Sequence, residues 1–231
     1  MRPPLVISHA ACGGHAPENT LAGIRKALGF GVDAIEIDVQ ASADGVPVLM
    51  HDLTVDRSTN GSGEVAALSL AELQGLDAGG EQVPTLAEAL GLTAGTAVLV
   101  IEIKQPGIEE RIAAVVRERK ALADVMVWSF FPPALEGMRR AEPRIPAGLL
   151  VAAESLPSWH RKRELAVRTG LQAVSVFFAG INEEIARDCR RSGLALYAWT
   201  VDSKREMSRL AELGIDGICT NFPDRAIALL R

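Results

Sequence analysis

The chain has 231 residues and a formal net charge of −5, with 48% hydrophobic and 23% charged residues. That balance excludes a disordered chain and supplies enough apolar side chains for a sizeable core. The 24 basic residues are scattered, apart from short runs such as Arg161-Lys162-Arg163 and Arg190-Arg191, so nucleic acid is not an expected partner.

Cys12, Cys189 and Cys219 are odd in number and show no CxxC spacing, which argues against a disulfide framework or a zinc site. Met1-Arg2-Pro3-Pro4 leads straight into a strand-like run with no signal-peptide pattern. No stretch approaches the roughly 18 apolar residues that span a bilayer. The expectation is a protein without stable membrane insertion, in a reducing compartment, the cytoplasm.

In chain order, strand-like runs fall at 5–8, 33–39, 46–50, 97–103, 125–130, 145–151, 172–178, 194–200 and 215–220. Helical periodicity separates most of them. Leu21, Ile24 and Leu28 fall on one helical face, as do Ile112, Val115 and Val116. Residues 183–191, 203–213 and 224–231 also read as helices. Asn19 and Thr20 are placed to cap the first helix. Alternating strands and helices argue for βα units around a parallel sheet.

Nine strands are one more than a (β/α)8 barrel needs. The link from Val39 to Val46 is only Gln40-Ala41-Ser42-Ala43-Asp44-Gly45, and Asp-Gly favours a hairpin turn. A parallel crossover needs about a dozen residues or more. Strand 46–50 must therefore run antiparallel or stand outside the barrel. The predicted fold is α/β, a (β/α)8 TIM barrel with an extra antiparallel hairpin strand, and a small insertion at about 52–96 after it. The whole of 1–231 reads as one domain, with short helices near 69–75 and 85–91 in the insertion. The competing fold is an open doubly wound sheet, but no GxGxxG or Walker motif follows the first strand.

Barrel enzymes react at the carboxyl ends of their strands. His9 closes the first strand there, Glu36 and Asp38 approach the end of the second, and Glu102 and Lys104 end the fourth. His51 follows the hairpin strand. Residues at i and i+2 share a strand face, so Glu36 and Asp38 point together, away from Ile35, Ile37 and Val39. Three converging carboxylates repel unless a cation neutralises them, and oxygen donors suit Mg²⁺ or Ca²⁺. Such an ion acts as a Lewis acid on a phosphoryl oxygen. His9 and His51 suit a general base and a general acid, and Lys104 supplies a contact for phosphate. Glu18 is close enough in sequence to reach the mouth. Phe131, Trp199 and Phe222 follow strand ends and are candidates for a leaving-group pocket.

These residues carry a resemblance. The run His9-Ala10-Ala11-Cys12-Gly13-Gly14-His15-Ala16-Pro17-Glu18-Asn19-Thr20 resembles the opening motif of the glycerophosphodiester phosphodiesterase family. So do Ile35-Glu36-Ile37-Asp38-Val39, Asp44-Gly45, His51-Asp52 and the stretch to Gly63, and later Glu102-Ile103-Lys104, Ser129-Phe130, Trp199-Thr200-Val201 and Asp216-Gly217-Ile218. The resemblance implies a TIM-barrel hydrolase that cleaves glycerophosphodiesters, small-molecule substrates, to glycerol 3-phosphate and an alcohol. It implies His9 and His51 as the acid/base pair and Glu36, Asp38 and Glu102 as holders of one divalent cation. It departs at Ala10-Ala11, where the family usually has Arg-Gly. The absent guanidinium would contact phosphate, an interaction of about 1.5–3 kcal/mol. That departure motivates a second reading, a degenerate barrel that binds a phosphorylated ligand. A third is a phospholipase D-like phosphodiesterase acting on another head group. The sequence leaves open whether two copies form a homodimer.

Overall fold

A computed structural model describes residues 3–152 and 156–231. Eight parallel strands close on themselves: β1 (Leu5–Ser8), β2 (Ala34–Ala41), β4 (Val98–Ile103), β5 (Val125–Ser129), β6 (Ala147–Val151), β7 (Ala173–Phe177), β8 (Ala195–Trp199) and β9 (Gly217–Thr220). The circuit runs β1-β9-β8-β7-β6-β5-β4-β2, and β1 pairs with β2 to close it. The short β3 (Pro47–Leu49) lies antiparallel on β2, as the hairpin argument requires. β1 pairs with residues 34 and 35 of β2, and β3 pairs with residues 39–41. β2 is therefore long enough to close the barrel low down and carry the hairpin strand above. Gly45 makes the turn with φ of 82°, a conformation open to glycine at little cost.

Strand alternation sorts the side chains into two layers. Ile35, Ile37, Val39, Leu99, Ile101 and Ile103 face the surrounding helices in the larger core. Ile7, Ala34, Val100, Trp128, Leu150, Ala173, Tyr197 and Cys219 fill the inside of the barrel. Trp128 and Tyr197 meet there with ring centroids 5.3 Å apart. Small residues opposite these rings make room for them, Gly148 beside Trp128 and Gly217 beside Tyr197. The interior is thus plugged, and chemistry is confined to the mouth above it.

The helices are α1 (Leu21–Phe30), α2 (Leu70–Gln74), α3 (Leu86–Thr93), α4 (Glu109–Glu118), α5 (Pro132–Ala141), α6 (Leu156–Arg168), α7 (Glu183–Ser192), α8 (Lys204–Glu212) and α9 (Pro223–Leu230). Thr20 caps α1 by accepting the Gly23 N–H, and Gly31 ends it at φ of 73°. Asn19 does not cap. It turns inward, as described below. α5 and α6 were not singled out by periodicity. Pro132-Pro133 reads locally as a loop, yet proline fits the first turn of a helix because its missing N–H would be unpaired there anyway.

The insertion has its own small core of Val48, Met50, Val55, Val65, Leu73, Ala78 and Val83. α3 was expected within it but packs on the barrel instead, with Leu86, Ala89 and Leu90 in the main core. It is the crossover helix between β2 and β4, so the insertion proper ends just before it. No helix among the described residues is long and apolar enough to cross a membrane.

The barrel plug gives a direct test. A methyl group at Gly217 would sit 2.7 Å from Cδ1 of Tyr197 and 3.2 Å from the Leu5 carbonyl, neither of which can move freely. Gly217→Ala is expected to destabilise by about 1–3 kcal/mol and lower Tm by about 2–4 °C per kcal/mol, read by calorimetry.

Candidate active site

β2 and β4 lie in register with Asp38 opposite Glu102. Glu36, two residues below Asp38 on the same face, completes a triangle. One oxygen from each carboxylate lies within 4.8 Å of those from the other two, and all three groups are buried. Each is steered by a local donor. The Ala10 N–H donates to Glu36 Oε2 at 2.8 Å. The Asn19 amide donates to Asp38 Oδ2 at 2.7 Å, while the Asp38 N–H donates back to Asn19 Oδ1 at 2.9 Å. Asn19 sits at φ of 56°, a left-handed conformation that asparagine tolerates, and this aims its side chain at Asp38 rather than at the helix.

Lys104 lies two residues beyond Glu102 on the same face. Its ammonium is 2.7 Å from Glu102 and 3.3 Å from Asp38. Burial lowers its pKa, but Asp38 and Glu102 outweigh that and hold it above the usual value. Burial, then Asp38 and Glu102, raise the Glu36 carboxyl well above an ordinary carboxylate. Burial and Asp38 raise Glu102 in the same direction despite Lys104. One lysine does not neutralise three carboxylates. Glu36 Oε1 is buried with no hydrogen-bond partner. An orphaned, desolvated oxygen among hard oxygen donors fits a divalent cation held by Glu36, Asp38 and Glu102.

The two histidines line the same cavity as Glu36 and Glu102 and are held differently. His9 Nδ1 lies 2.8 Å from Asn221 Oδ1, and the Asn221 amide nitrogen is engaged with Asp202 at 2.8 Å. Asn221 therefore presents its oxygen, and His9 Nδ1 is the donor, which leaves Nε2 as the free nitrogen. His51 Nδ1 lies 2.6 Å from Asp52 Oδ1. Hydrogen bonds from Arg57 and His51 pull Asp52 down to about 2, so it is a carboxylate at neutral pH. Arg57 bridges Asp52 to Glu18, at 2.5 Å from each.

These groups border a cavity of about 210 Å³. Its polar lining is His9, Glu36, His51, Glu102, Lys104 and Thr200, and its apolar lining is Trp128, Phe130, Leu150, Trp199 and Cys219. Trp199 is anchored by its Nε1–H to the Ser175 carbonyl at 3.0 Å, and Phe130 packs edge-on against it at 5.4 Å. A larger cleft of about 680 Å³ opens at the other end of the barrel, beside Leu5, Tyr197 and Asp216. Its Arg190 and Asp216 are engaged with backbone groups, and no acid/histidine pair faces it.

His9, His51, Glu36, Asp38, Glu102, Lys104 and Trp199 thus converge as expected. Three expected substrate contacts do not line the cavity. Phe131 points outward and is 45% exposed, and its place is taken by Phe130. Phe222 packs on His15 and Arg225. Glu18 pairs with Arg57 and lines a small separate cleft that it shares with His51. The reason is alternation carried past the strand end: Trp128 and Phe130 face in, Ser129 and Phe131 out; Cys219 and Asn221 face in, Thr220 and Phe222 out. The same rule that paired Glu36 with Asp38 would have found Phe130 and Asn221. Asn19, Asp52 and Arg57 offered no comparable local signal.

A (β/α)8 barrel whose mouth brings together three carboxylates able to hold a divalent cation and a cavity lined by two histidines fits the class of phosphodiester hydrolases. The chain belongs to the glycerophosphoryl diester phosphodiesterase family, whose model matches residues 9–225. It is 37% identical to the glycerophosphodiester phosphodiesterase of Caldanaerobacter subterraneus subsp. tengcongensis, over 98% of each chain. It superposes on a phosphodiesterase of Oleispira antarctica, solved in complex with the product sn-glycerol-3-phosphate, with a TM-score of 0.87 at 28% identity, covering 98% of this chain and 96% of that one. The glycerophosphodiester phosphodiesterase of Agrobacterium tumefaciens gives a TM-score of 0.86 at 29% identity, covering 97% and 99%.

Carboxyl pKa values raised by folding give stability that is full below the unfolded value and lost as pH rises through the folded one. The metal-free protein is therefore expected to lose stability above about pH 4.5 on account of Glu36 and Glu102. Mg²⁺ or Ca²⁺ should raise Tm more at pH 8 than at pH 5. Glu36→Gln should raise the metal-free Tm at pH 8 and shrink the cation-induced rise, both read by scanning fluorimetry.

Proposed function

We propose that this chain hydrolyses glycerophosphodiesters to glycerol 3-phosphate and an alcohol, with one Mg²⁺ or Ca²⁺ held by Glu36, Asp38 and Glu102. The observation that carries this reading is the buried carboxylate triangle with its orphaned Glu36 oxygen, opening on a cavity that His9 and His51 also line, each engaged through Nδ1. When bound, the cation supplies Lewis-acid polarisation of a phosphoryl oxygen. The rest falls to side chains. Lys104 faces the cavity and places positive charge against a phosphoryl oxygen. His9, held by a neutral amide, accepts through Nε2 the proton of the attacking oxygen as it bonds to phosphorus: that of water, which gives glycerol 3-phosphate directly, or that of the glycerol 2-hydroxyl, whose cyclic phosphate water then opens to glycerol 3-phosphate. His51, whose Nδ1 faces the Asp52 carboxylate, is suited to start as imidazolium. It donates its Nε2 proton to the leaving alkoxide as the phosphorus–oxygen bond breaks. Asp52 keeps the positive ring compensated before that transfer. The Phe130–Trp199 wall excludes water beside the departing alcohol and gives an apolar surface to its carbon skeleton.

The alternative of a degenerate binding barrel rests on Ala10. Both histidines and all three acids are present and brought together, which favours the enzyme. Purified protein given glycerophosphocholine with Mg²⁺ or Ca²⁺ should release glycerol 3-phosphate, and a chelator should abolish release. His9→Ala and His51→Ala should each lower kcat by about 10²–10⁴-fold. With a p-nitrophenyl diester, whose leaving group needs no acid, His51→Ala should lose far less and His9→Ala as much as before. Equal losses on both substrates would reverse or erase the role assignment. No cation-dependent release from any diester would remove the enzymatic reading.

A further inference from the structure

β2 carries a third inward polar residue above Glu36 and Asp38. Gln40 follows them at the same spacing and is 1% exposed. Gln40 itself pairs with Val48, and β3 ends one residue further on, at Leu49 opposite Val39. One further backbone bond forms, from the Met50 N–H to the Asp38 carbonyl at 3.0 Å. The chain then turns into the segment that bears His51. There Gln40 replaces the ladder. Its Nε2 donates to the Met50 carbonyl at 3.1 Å, lies 3.4 Å from the His51 carbonyl and meets the Asp52 carbonyl. Three acceptors around one terminal atom fix the amide orientation, since the Gln40 oxygen in that place would face three like dipoles.

The other ties to this segment are weaker anchors. Asp52 holds the His51 ring but is its chain neighbour and moves with it. Arg57 holds Asp52, yet its side chain is 52% exposed and its partner Glu18 lies at the surface of the mouth. The His51 ring itself is 46% exposed, so packing does not immobilise it. The Met50–Asp38 backbone bond is buried but stops at residue 50, whereas the buried Gln40 amide reaches on to the carbonyls of residues 51 and 52 from the strand that holds two of the three carboxylates.

We infer that Gln40 is a positioning residue for His51: its amide fixes the 50–52 backbone so that β2 sets the distance between the histidine and the carboxylate triangle. The inference rests on the proposed function for the role of His51. Misplacement of a catalytic group by about 1 Å can lower turnover about 10²-fold, which sets the scale of the effect.

The test is a double-mutant cycle with Gln40→Met, which keeps the side-chain volume and removes the donors. Gln40→Met is expected to lower kcat on glycerophosphocholine by about 10–100-fold while KM stays within about threefold. The Tm rise on adding Mg²⁺ should match wild type, because the carboxylate triangle is untouched. In a His51→Ala background the same change should lower the residual rate by less than about twofold, since its effect passes through His51. A Gln40→Met kcat within about twofold of wild type would overturn the inference, and so would an equal loss in both backgrounds. If wild type hydrolyses no diester, the functional reading fails by itself and amide hydrogen exchange decides Gln40. Faster exchange confined to residues 50–53 in Gln40→Met supports the anchor, and unchanged exchange there refutes it.

Discussion

Three carboxylates forced together in a low-dielectric barrel mouth are the constraint around which this molecule is arranged. Strand spacing brings Glu36 and Asp38 together, and register brings Glu102 beside Asp38. At such separations in a buried site, like charges repel strongly enough that a carboxyl takes up a proton, a cation enters or the structure gives way. Here Lys104 offsets part of the charge, and main-chain and amide donors from the loop after β1 offset more. The remainder falls on Glu36, whose carboxyl is raised by burial and by Asp38 and Glu102 and whose second oxygen has no hydrogen-bond partner among the described residues. On the proposed function, affinity for a divalent ion and instability without it would be one property, seen from two sides.

The histidines inherit their difference from what stands behind them. Asn221 is a neutral acceptor, oriented by Asp202 through both its amide nitrogen and its backbone N–H. Asp52 is a charged acceptor, itself kept ionised by Arg57. Both imidazoles are thus held through Nδ1, one against a neutral amide oxygen and the other against a carboxylate. The barrel supplies both partners from the same topological feature, the segment just past a strand end. The β9 side is short and rigid. The β3 side is an insertion with its own small core, which explains why the His51 segment needs an anchor on β2.

How much of this was legible in the sequence depended on whether the governing rule was local. Alternation along β2 and β4 placed the acids correctly, and Asp44-Gly45 disposed of the ninth strand. Alternation also governed Phe130 and Asn221, but only if carried two residues beyond the strand, where no periodic signal marks its continuation. Asn19 sat beside a true cap, Thr20, and shared its capping chemistry. Only the left-handed backbone at Asn19, set by its tie to Asp38, distinguishes the two. Arg57 lies in a polar run that reads as a loop, and its partner Glu18 is 39 residues away in the chain. Gln40 looked like the first residue of a turn rather than the last of a strand, because β2 runs on to Ala41.

The Ala10-Ala11 departure separates two things the loop after β1 can do. Both residues take positive φ, 47° and 65°, where a β-carbon is strained by about 1–2 kcal/mol. The backbone persists there because it is engaged: the Ala10 N–H binds Glu36, the Ala11 N–H binds the Glu36 carbonyl at 2.7 Å, and Ala11 packs against Gly23. The main-chain task of this loop, orienting a cation-site acid, is therefore met at the expense of local strain. The side-chain task, offering a guanidinium to phosphate, is not. Lys104 is the only lysine or arginine among the described residues lining the cavity, and it is already paired with two of the acids. Its ammonium becomes available to an anionic substrate to the extent that a divalent ion takes over those acids. On the proposed function, phosphate recognition at this site would be coupled to cation binding more tightly than with an independent arginine at position 10.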